Sequence, residues 1–322
     1  GLAILALGVG DDRFGIHAEK KLYGQLGVIL LLMVFGQRLD FVVIPLVGKI
    51  GLGGWAWPFT LFWYLGFINS MNLIDGLDGL ASGISILATL TLVIISLMVG
   101  DMYSMLFAST LCGATVAFFY WNMSSRKIFL GDSGSMWMGL VLGSLIMNLG
   151  QKAELSLPLM LAPMVVPIWD TGTTIIRRYK NRTSIFQADD YHLHHRLLRL
   201  GFSPRGVVLC LLLVTLGSTL FALSDFLGLA WLGLPAMGAW LWVGQLGGMH
   251  HLRNRAQGID LFSEFFYALG FNDSMDSLNN QAGTNVADII DLQTERQKVN
   301  RQRALDATSG QPLLNDDDPE SF

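Results

Sequence analysis

Residues 51–100 read G-L-G-G-W-A-W-P-F-T-L-F-W-Y-L-G-F-I-N-S-M-N-L-I-D-G-L-D-G-L-A-S-G-I-S-I-L-A-T-L-T-L-V-I-I-S-L-M-V-G, and Asp75 and Asp78 are their only charged side chains. Two apolar stretches, 51–74 and 80–100, flank one short polar insert. Each approaches the roughly 20 residues that a helix needs to cross the hydrocarbon of a bilayer. In that medium the backbone must satisfy its own hydrogen bonds, which leaves the helix as the expected element.

The rest of the first three quarters repeats this pattern. Nearly uncharged stretches lie over 22–37, 103–121, 133–150, 155–176, 206–224 and 226–249. The first is short, and we expect it to continue past Arg38 through 41–47. Residues 1–9 are apolar but too short to span, and are expected to be the remnant of a helix whose beginning is missing. Composition agrees, with 52% hydrophobic and 14% charged residues, against about a quarter charged in soluble domains. A disordered, collagenous or disulfide-stapled chain is excluded. Cys112 and Cys210 sit in apolar runs and read as packing residues.

The reading is an all-α polytopic membrane helix bundle over residues 1–249 with about eight complete spans. Residues 250–322 are expected to be a polar tail, largely disordered, with a weak helical pattern at 286–305. Net charge is -4, but residues 248–322 hold 6 Lys+Arg against 12 Asp+Glu, so the acidity belongs to the tail. Alternating the spans puts Arg13, Lys20, Lys21, Arg126, Lys127, the basic residues of 177–205 and those of the tail on one side. Only Arg38, Lys49 and Lys152 fall on the other. The positive-inside rule makes the first side, tail included, cytoplasmic. Trp55, Trp57, Trp121, Trp169 and Trp231 lie near span ends, where indoles favour the interface.

A charged side chain at membrane depth costs about 2.5–3.5 kcal/mol, so polar residues at span ends are functional candidates. Five groups stand out, all on the predicted cytoplasmic side. Asp11-Asp12 are adjacent carboxylates, which repel unless a cation lies close. Asn69, Asn72 and Asp75 follow i, i+3, i+6, roughly along one helical face, with Asp78 just beyond. Residues 127–135, K-I-F-L-G-D-S-G-S, place Asp132 between glycines at a helix start, where a capping role competes with phosphate binding; Asn122 precedes them. Asp170 ends a span, and a local salt bridge there competes with function. His192, His194, His195 and Arg196 form a cluster suited to phosphate rather than zinc, since no cysteine is near. Carboxylates, amides and a His/Arg cluster on one face point to metal-assisted phosphoryl chemistry between a soluble and a lipid substrate.

In order, GxxDDxxG, NxxNxxDGLDGLA, KIFLGDSGS, PIxDT and HxHHRLLRLG resemble the polyprenyl-phosphate N-acetylhexosamine-1-phosphate transferase superfamily. The resemblance covers about residues 1–225 and is closest to the WecA/TagO-like undecaprenyl-phosphate N-acetylglucosamine-1-phosphate transferases. It implies transfer of GlcNAc-1-phosphate from UDP-GlcNAc to polyprenyl phosphate with Mg²⁺, or Mn²⁺ in its place, as the first membrane step of a cell-envelope glycan. It further implies a bacterial plasma membrane and a cytoplasmic active site; it allows a homodimer and offers no role for nucleic acid. By the same resemblance Asp11, Asp12 and Asp132 are catalytic, with Asp132 and Asn72 holding the metal. Asn69, Asp75 and Asp78 match the nucleotide-sugar site, and His192, His194, His195 and Arg196 a loop gripping diphosphate and sugar. Lys21 matches a lysine near the lipid phosphate, and Asn122 and Lys127 complete the substrate-binding set.

Three alternatives compete. The phospho-N-acetylmuramoyl-pentapeptide transferases typically show three consecutive histidines, where this chain has His192-Leu193-His194-His195. Membrane enzymes acting on CDP-alcohols need an Arg and further aspartates that do not follow Asp75-Gly76. A transporter would place polar groups near the bilayer midplane, whereas these cluster at one face.

Overall fold

A computed structural model describes residues 1–45, 47–124, 128–180, 182, 192–199 and 202–227. Lys127, the span expected beyond 227 and the 250–322 tail lie outside these residues. Nearly all of the described residues belong to one compact unit, 1–197 with 204 onward; of a second unit only Leu198, Arg199, Phe202 and Ser203 are described.

The architecture is helical, as expected. In chain order the helices are α1 (Leu2–Phe14), α2 (Ala18–Val34), α3 (Ala56–Ile74), α4 (Leu80–Val99), α5 (Met102–Asn122), α6 (Gly131–Ala153), α7 (Leu157–Leu161), α8 (Val165–Lys180), α9 (Leu193–Arg199) and α10 (Pro204–Phe226). Among the described residues four segments are long and apolar enough to cross a membrane: α4, α5, residues 157–180 and α10. α2 has only 17 residues, and α3 and α6 carry polar side chains at their ends.

Three boundaries differ from expectation. The first span does not run on through 41–47. α2 stops at Val34, and the β-branched segment Phe41–Ile44 pairs antiparallel with Gly48–Gly51 as a hairpin, β1 and β2. A short apolar run fits either a strand or a helix by pattern alone, and β-branched residues tip it toward the strand. The stretch 155–176 is broken: a 3₁₀ turn at Ala162–Met164 separates α7 from α8, where Pro163 removes a helix donor. Finally, α1 runs beyond the apolar residues 1–9 to Phe14, so Asp11 and Asp12 stand on its last turn.

α3 forms the centre of the packing. Tyr64, Phe67, Ile68, Met71 and Ile74 are all but inaccessible, and the helix lies against α6, α8 and α2. Lipid tails are as apolar as these side chains, so close fit and interhelical hydrogen bonds hold such helices together. The fit is closest along α6. A Cβ on Gly139 would stand 2.5 Å from the Phe67 carbonyl oxygen, and one on Gly143 would press on the Phe67 ring. The Trp63 indole donates to the Gly143 carbonyl at 2.9 Å.

Candidate active site

The C-terminal ends of α1, α3 and α5 meet the N-terminal ends of α2, α4 and α6. At this end of the bundle, motif residues far apart in sequence become neighbours. Lys21, one turn into α2, is the hub. Its Nζ pairs with Asp11 Oδ2 at 2.7 Å and Asp132 Oδ2 at 3.3 Å, and donates to Asn72 Oδ1 at 3.0 Å. Asn72 Nδ2 in turn donates to Asp132 Oδ1 and to Ser135 Oγ. Asp11, 5% exposed, also accepts the Ile16 backbone N–H at 2.8 Å, which closes the turn between α1 and α2.

Asp12 faces a different partner. Its Oδ1 accepts the N–H of Asp132 at 2.8 Å and its Oδ2 the N–H of Ser133 at 3.0 Å. Asp132 is therefore not the N-cap of α6. It is the helix's second residue, and the capping acceptor comes from α1.

The insert between α3 and α4 packs beside this centre. Asp75 terminates α3. Its carboxyl is pushed up to about 8 by burial and then by the neighbouring Asp132, Asp78 and Asp12 charges. Asn122, at the end of α5, accepts the Gly79 N–H at 2.6 Å and donates to the Ile128 carbonyl at 2.8 Å, stapling the 75–79 turn to the entry of α6. Asn69 is turned away from the carboxylates. It exchanges hydrogen bonds with Gln25 of α2, at 2.9 and 3.2 Å.

Gln25 and Ser135 did not stand out in the sequence. Gln25 is fully buried, and a lone amide in the apolar run of α2 is the signal that marks it. Ser135 carries no such signal, because its role depends on Asn72 of another helix.

The histidine cluster sits on α9 and the residue before it. Asp170 of α8, 3% exposed, accepts the Leu193 N–H at 2.7 Å through Oδ1, and its Oδ2 pairs with His192 Nδ1 at 2.9 Å. Asp170 thus caps α9 and holds the His192 ring by the same carboxylate. His192 and His194 stack at 5.9 Å, and His195 lies 4.2 Å from His194. The His194 ring covers Gly76: a Cβ there would stand 2.5 Å from its Nε2. This contact joins the cluster to the 75–79 turn. Arg196 continues α9, its N–H donating to the His192 carbonyl.

Two carboxylate oxygens and one amide oxygen, from three helices, thus converge on one cation, and the Asp75 carboxyl beside them is held toward its neutral form by burial and then by neighbouring negative charge. Hard oxygen donors of this kind suit Mg²⁺, which is usually held by one or two carboxylates plus substrate phosphate oxygens. Among the described residues no three His, Cys, Asp or Glu side chains form a ready metal cage. The donor set fits an ion completed by substrate, not a closed structural site.

A polytopic helical membrane protein with this polar centre at one end defines the class. Residues 1–150 match the model of glycosyl transferase family 4. The chain is 36% identical over 215 residues to a probable undecaprenyl-phosphate N-acetylglucosaminyl 1-phosphate transferase of Bacillus subtilis, covering 66% of this chain and 60% of the relative. It is 34% identical over 263 residues to the decaprenyl-phosphate N-acetylglucosaminephosphotransferase of Mycobacterium tuberculosis, covering 74% and 61%. A phospho-N-acetylmuramoyl-pentapeptide-transferase of Desulforamulus reducens is 31% identical over 270 residues, covering 76% and 75%. The chain belongs to glycosyl transferase family 4, the polyprenyl-phosphate N-acetylhexosamine-1-phosphate transferase superfamily, close to its WecA/TagO-like members. It spans about three fifths of the length of the first two relatives.

Proposed function

We propose that this chain carries the centre that transfers N-acetylglucosamine-1-phosphate from UDP-GlcNAc to undecaprenyl phosphate, giving undecaprenyl-diphosphate-GlcNAc and UMP. The observation behind this reading is the convergence of Asp11, Asn72 and Asp132 on the Lys21 ammonium.

In the reaction, an oxygen of the lipid phosphate bonds to the phosphorus that carries the sugar, and the bond from that phosphorus to the UMP oxygen breaks. A phosphate monoester has its second pKa near 6, so the nucleophile is largely ionised at pH 7 without a base. The side chains therefore orient the two substrates and offset charge, which is most of catalysis in phosphoryl transfer. Asp132 and Asn72 would hold Mg²⁺, or Mn²⁺, beside Asp11; bound there, the ion would neutralise charge on the diphosphate oxygens. Lys21 would meet the lipid phosphate. Asn69, Asp75, Asp78 and Asn122 would shape the nucleotide-sugar side, and His192, His194, His195, Arg196 and Lys127 the diphosphate side, with Arg196 offering the planar fork that matches phosphate. The basic residues flanking this end would keep it cytoplasmic in a bacterial plasma membrane.

The Desulforamulus reducens relative favours a second reading, transfer of phospho-N-acetylmuramoyl-pentapeptide. Membranes from cells expressing the gene decide between them, given undecaprenyl phosphate and either labelled UDP-GlcNAc or labelled UDP-MurNAc-pentapeptide. We expect label in the lipid extract from UDP-GlcNAc only, lost on EDTA treatment and in Asp132→Asn. Label from the pentapeptide substrate alone would establish the second reading. Transfer from neither, nor from other UDP-N-acetylhexosamines, in well-folded protein would end both.

A further inference from the structure

α6 begins without a cap of its own. Leu130 flanks its first turn, and no side chain of the flanking residue serves the exposed N–H groups. Such donors need an acceptor, and Asp, Asn and Ser serve best. Here the acceptor arrives from another helix: both oxygens of Asp12 bind the N–H groups of Asp132 and Ser133. Two glycines make room for it. One turn before Asp12, a Cβ on Gly8 would stand 2.2 Å from Ser133 Cα, so α1 and α6 touch backbone to backbone. Gly131, at φ 67, lies under the carboxylate, where a Cβ would come within 2.9 Å of Asp12 Oδ2. The residue whose N–H Asp12 holds is the one whose side chain reaches Asn72 and Lys21.

We infer that Asp12 is a positioning residue. It acts through the N-terminus of α6 to fix the direction of Asp132, rather than by touching metal or substrate itself. This deepens the transferase reading above and rests on it. Within the adjacent pair the roles divide: Asp11 faces the Lys21 ammonium, and Asp12 faces the α6 backbone.

The test compares Asp12→Asn, Asp12→Ala and Gly8→Ala in purified, detergent-solubilised protein. The readouts are hydrogen exchange of residues 128–136 and steady-state transfer from UDP-GlcNAc. In Asp12→Ala the Asp132 and Ser133 amides should exchange about tenfold faster, as expected for a lost cap. Its kcat should fall by about 100-fold, the scale of a misplaced reacting group, with KM for UDP-GlcNAc little changed. Asp12→Asn keeps a capping oxygen and should retain protection and kcat within about tenfold of the parent. Gly8→Ala leaves the carboxylate intact but forces α1 from α6, and should resemble Asp12→Ala. Should it fail to fold, the Asn and Ala variants decide by themselves. Unchanged exchange in Asp12→Ala would overturn the inference, as would an Asp12→Asn protein that keeps its protection yet is as inactive as Asp12→Ala. If the parent transfers no sugar phosphate, the transferase reading fails, while the exchange data still judge the cap.

Discussion

His194 is 1% exposed, and neither ring nitrogen has a hydrogen-bond partner among the described residues. Burial first, and then the neighbouring His195, lower its pKa from 6.5 to about 3, so the ring is neutral at pH 7. Between these values the unfolded chain binds the extra proton and the folded chain does not, so stability falls as pH drops through that window. From pH 7 to pH 5 this one ring should cost roughly 2 kcal/mol. Thermal unfolding at the two pH values should show the loss, and His194→Gln should flatten it. Asp170 makes a second test. Replacing it with Ala leaves His192 and the Leu193 N–H without their buried acceptor, a loss of about 1–3 kcal/mol, read as a lower unfolding midpoint that Asp170→Asn partly restores. The sequence marked Asp170 as polar at a span end but could not name its partner. His192 lies 22 residues on and meets it only because the chain returns at α9.

Among the elements, the contact between α3 and α6 controls the centre. Asn72 and Asp132 project from these two helices, and Gly139 lets the helices approach to backbone contact beside Phe67. Gly139→Ala has no room and must part them. Overpacking of this kind costs about 1–3 kcal/mol, and the accompanying shift between Asn72 and Asp132 should lower transfer by about tenfold or more. An activity assay beside a melting curve checks both. Helices were the most legible elements, because long uncharged runs admit few alternatives in a bilayer. The β1–β2 hairpin was not, since four β-branched or aromatic residues after a helix continue its hydropathy without continuing its geometry. The pairing of α1 with α6 left a faint trace, the glycines of GxxDDxxG and LGDSG. Their meaning depends on which helices touch, and one chain's pattern does not encode that.

Across the described residues, the motif side chains and the contacts that anchor the hairpin occupy opposite ends of the helices. The motif residues gather where α1, α3 and α5 end. At the other end Gln151 of α6 accepts the Asp40 N–H and donates to the Phe41 carbonyl, pinning β1; Thr60 accepts the Leu39 N–H, and Lys152 pairs with Asp101. Along α6, Gln151 lies roughly 30 Å from Asp132 at 1.5 Å per residue. Gln151→Ala should therefore lower the unfolding temperature while leaving KM for the nucleotide sugar unchanged, which differential scanning fluorimetry and initial rates can separate. The gathering of five motifs at one end was legible from their order and from the distribution of basic residues. Which oxygen meets which donor was not, because contacts such as Lys21 with Asn72 and Asp12 with Ser133 join residues 51 and 121 positions apart. The seam between the two ends also has an optical property. Trp63 is 8% exposed, donates its indole N–H to Gly143 and lies with its ring tilted 31° against that of Phe67, 4.6 Å between centroids. Its fluorescence should be blue-shifted as long as α3 and α6 remain in contact, and should move to longer wavelength when they part. Among nine tryptophans, the difference spectrum against Trp63→Phe isolates that signal. The protein thus carries its own gauge of the separation between the helices that bear Asn72 and Asp132, readable in a cuvette without a label.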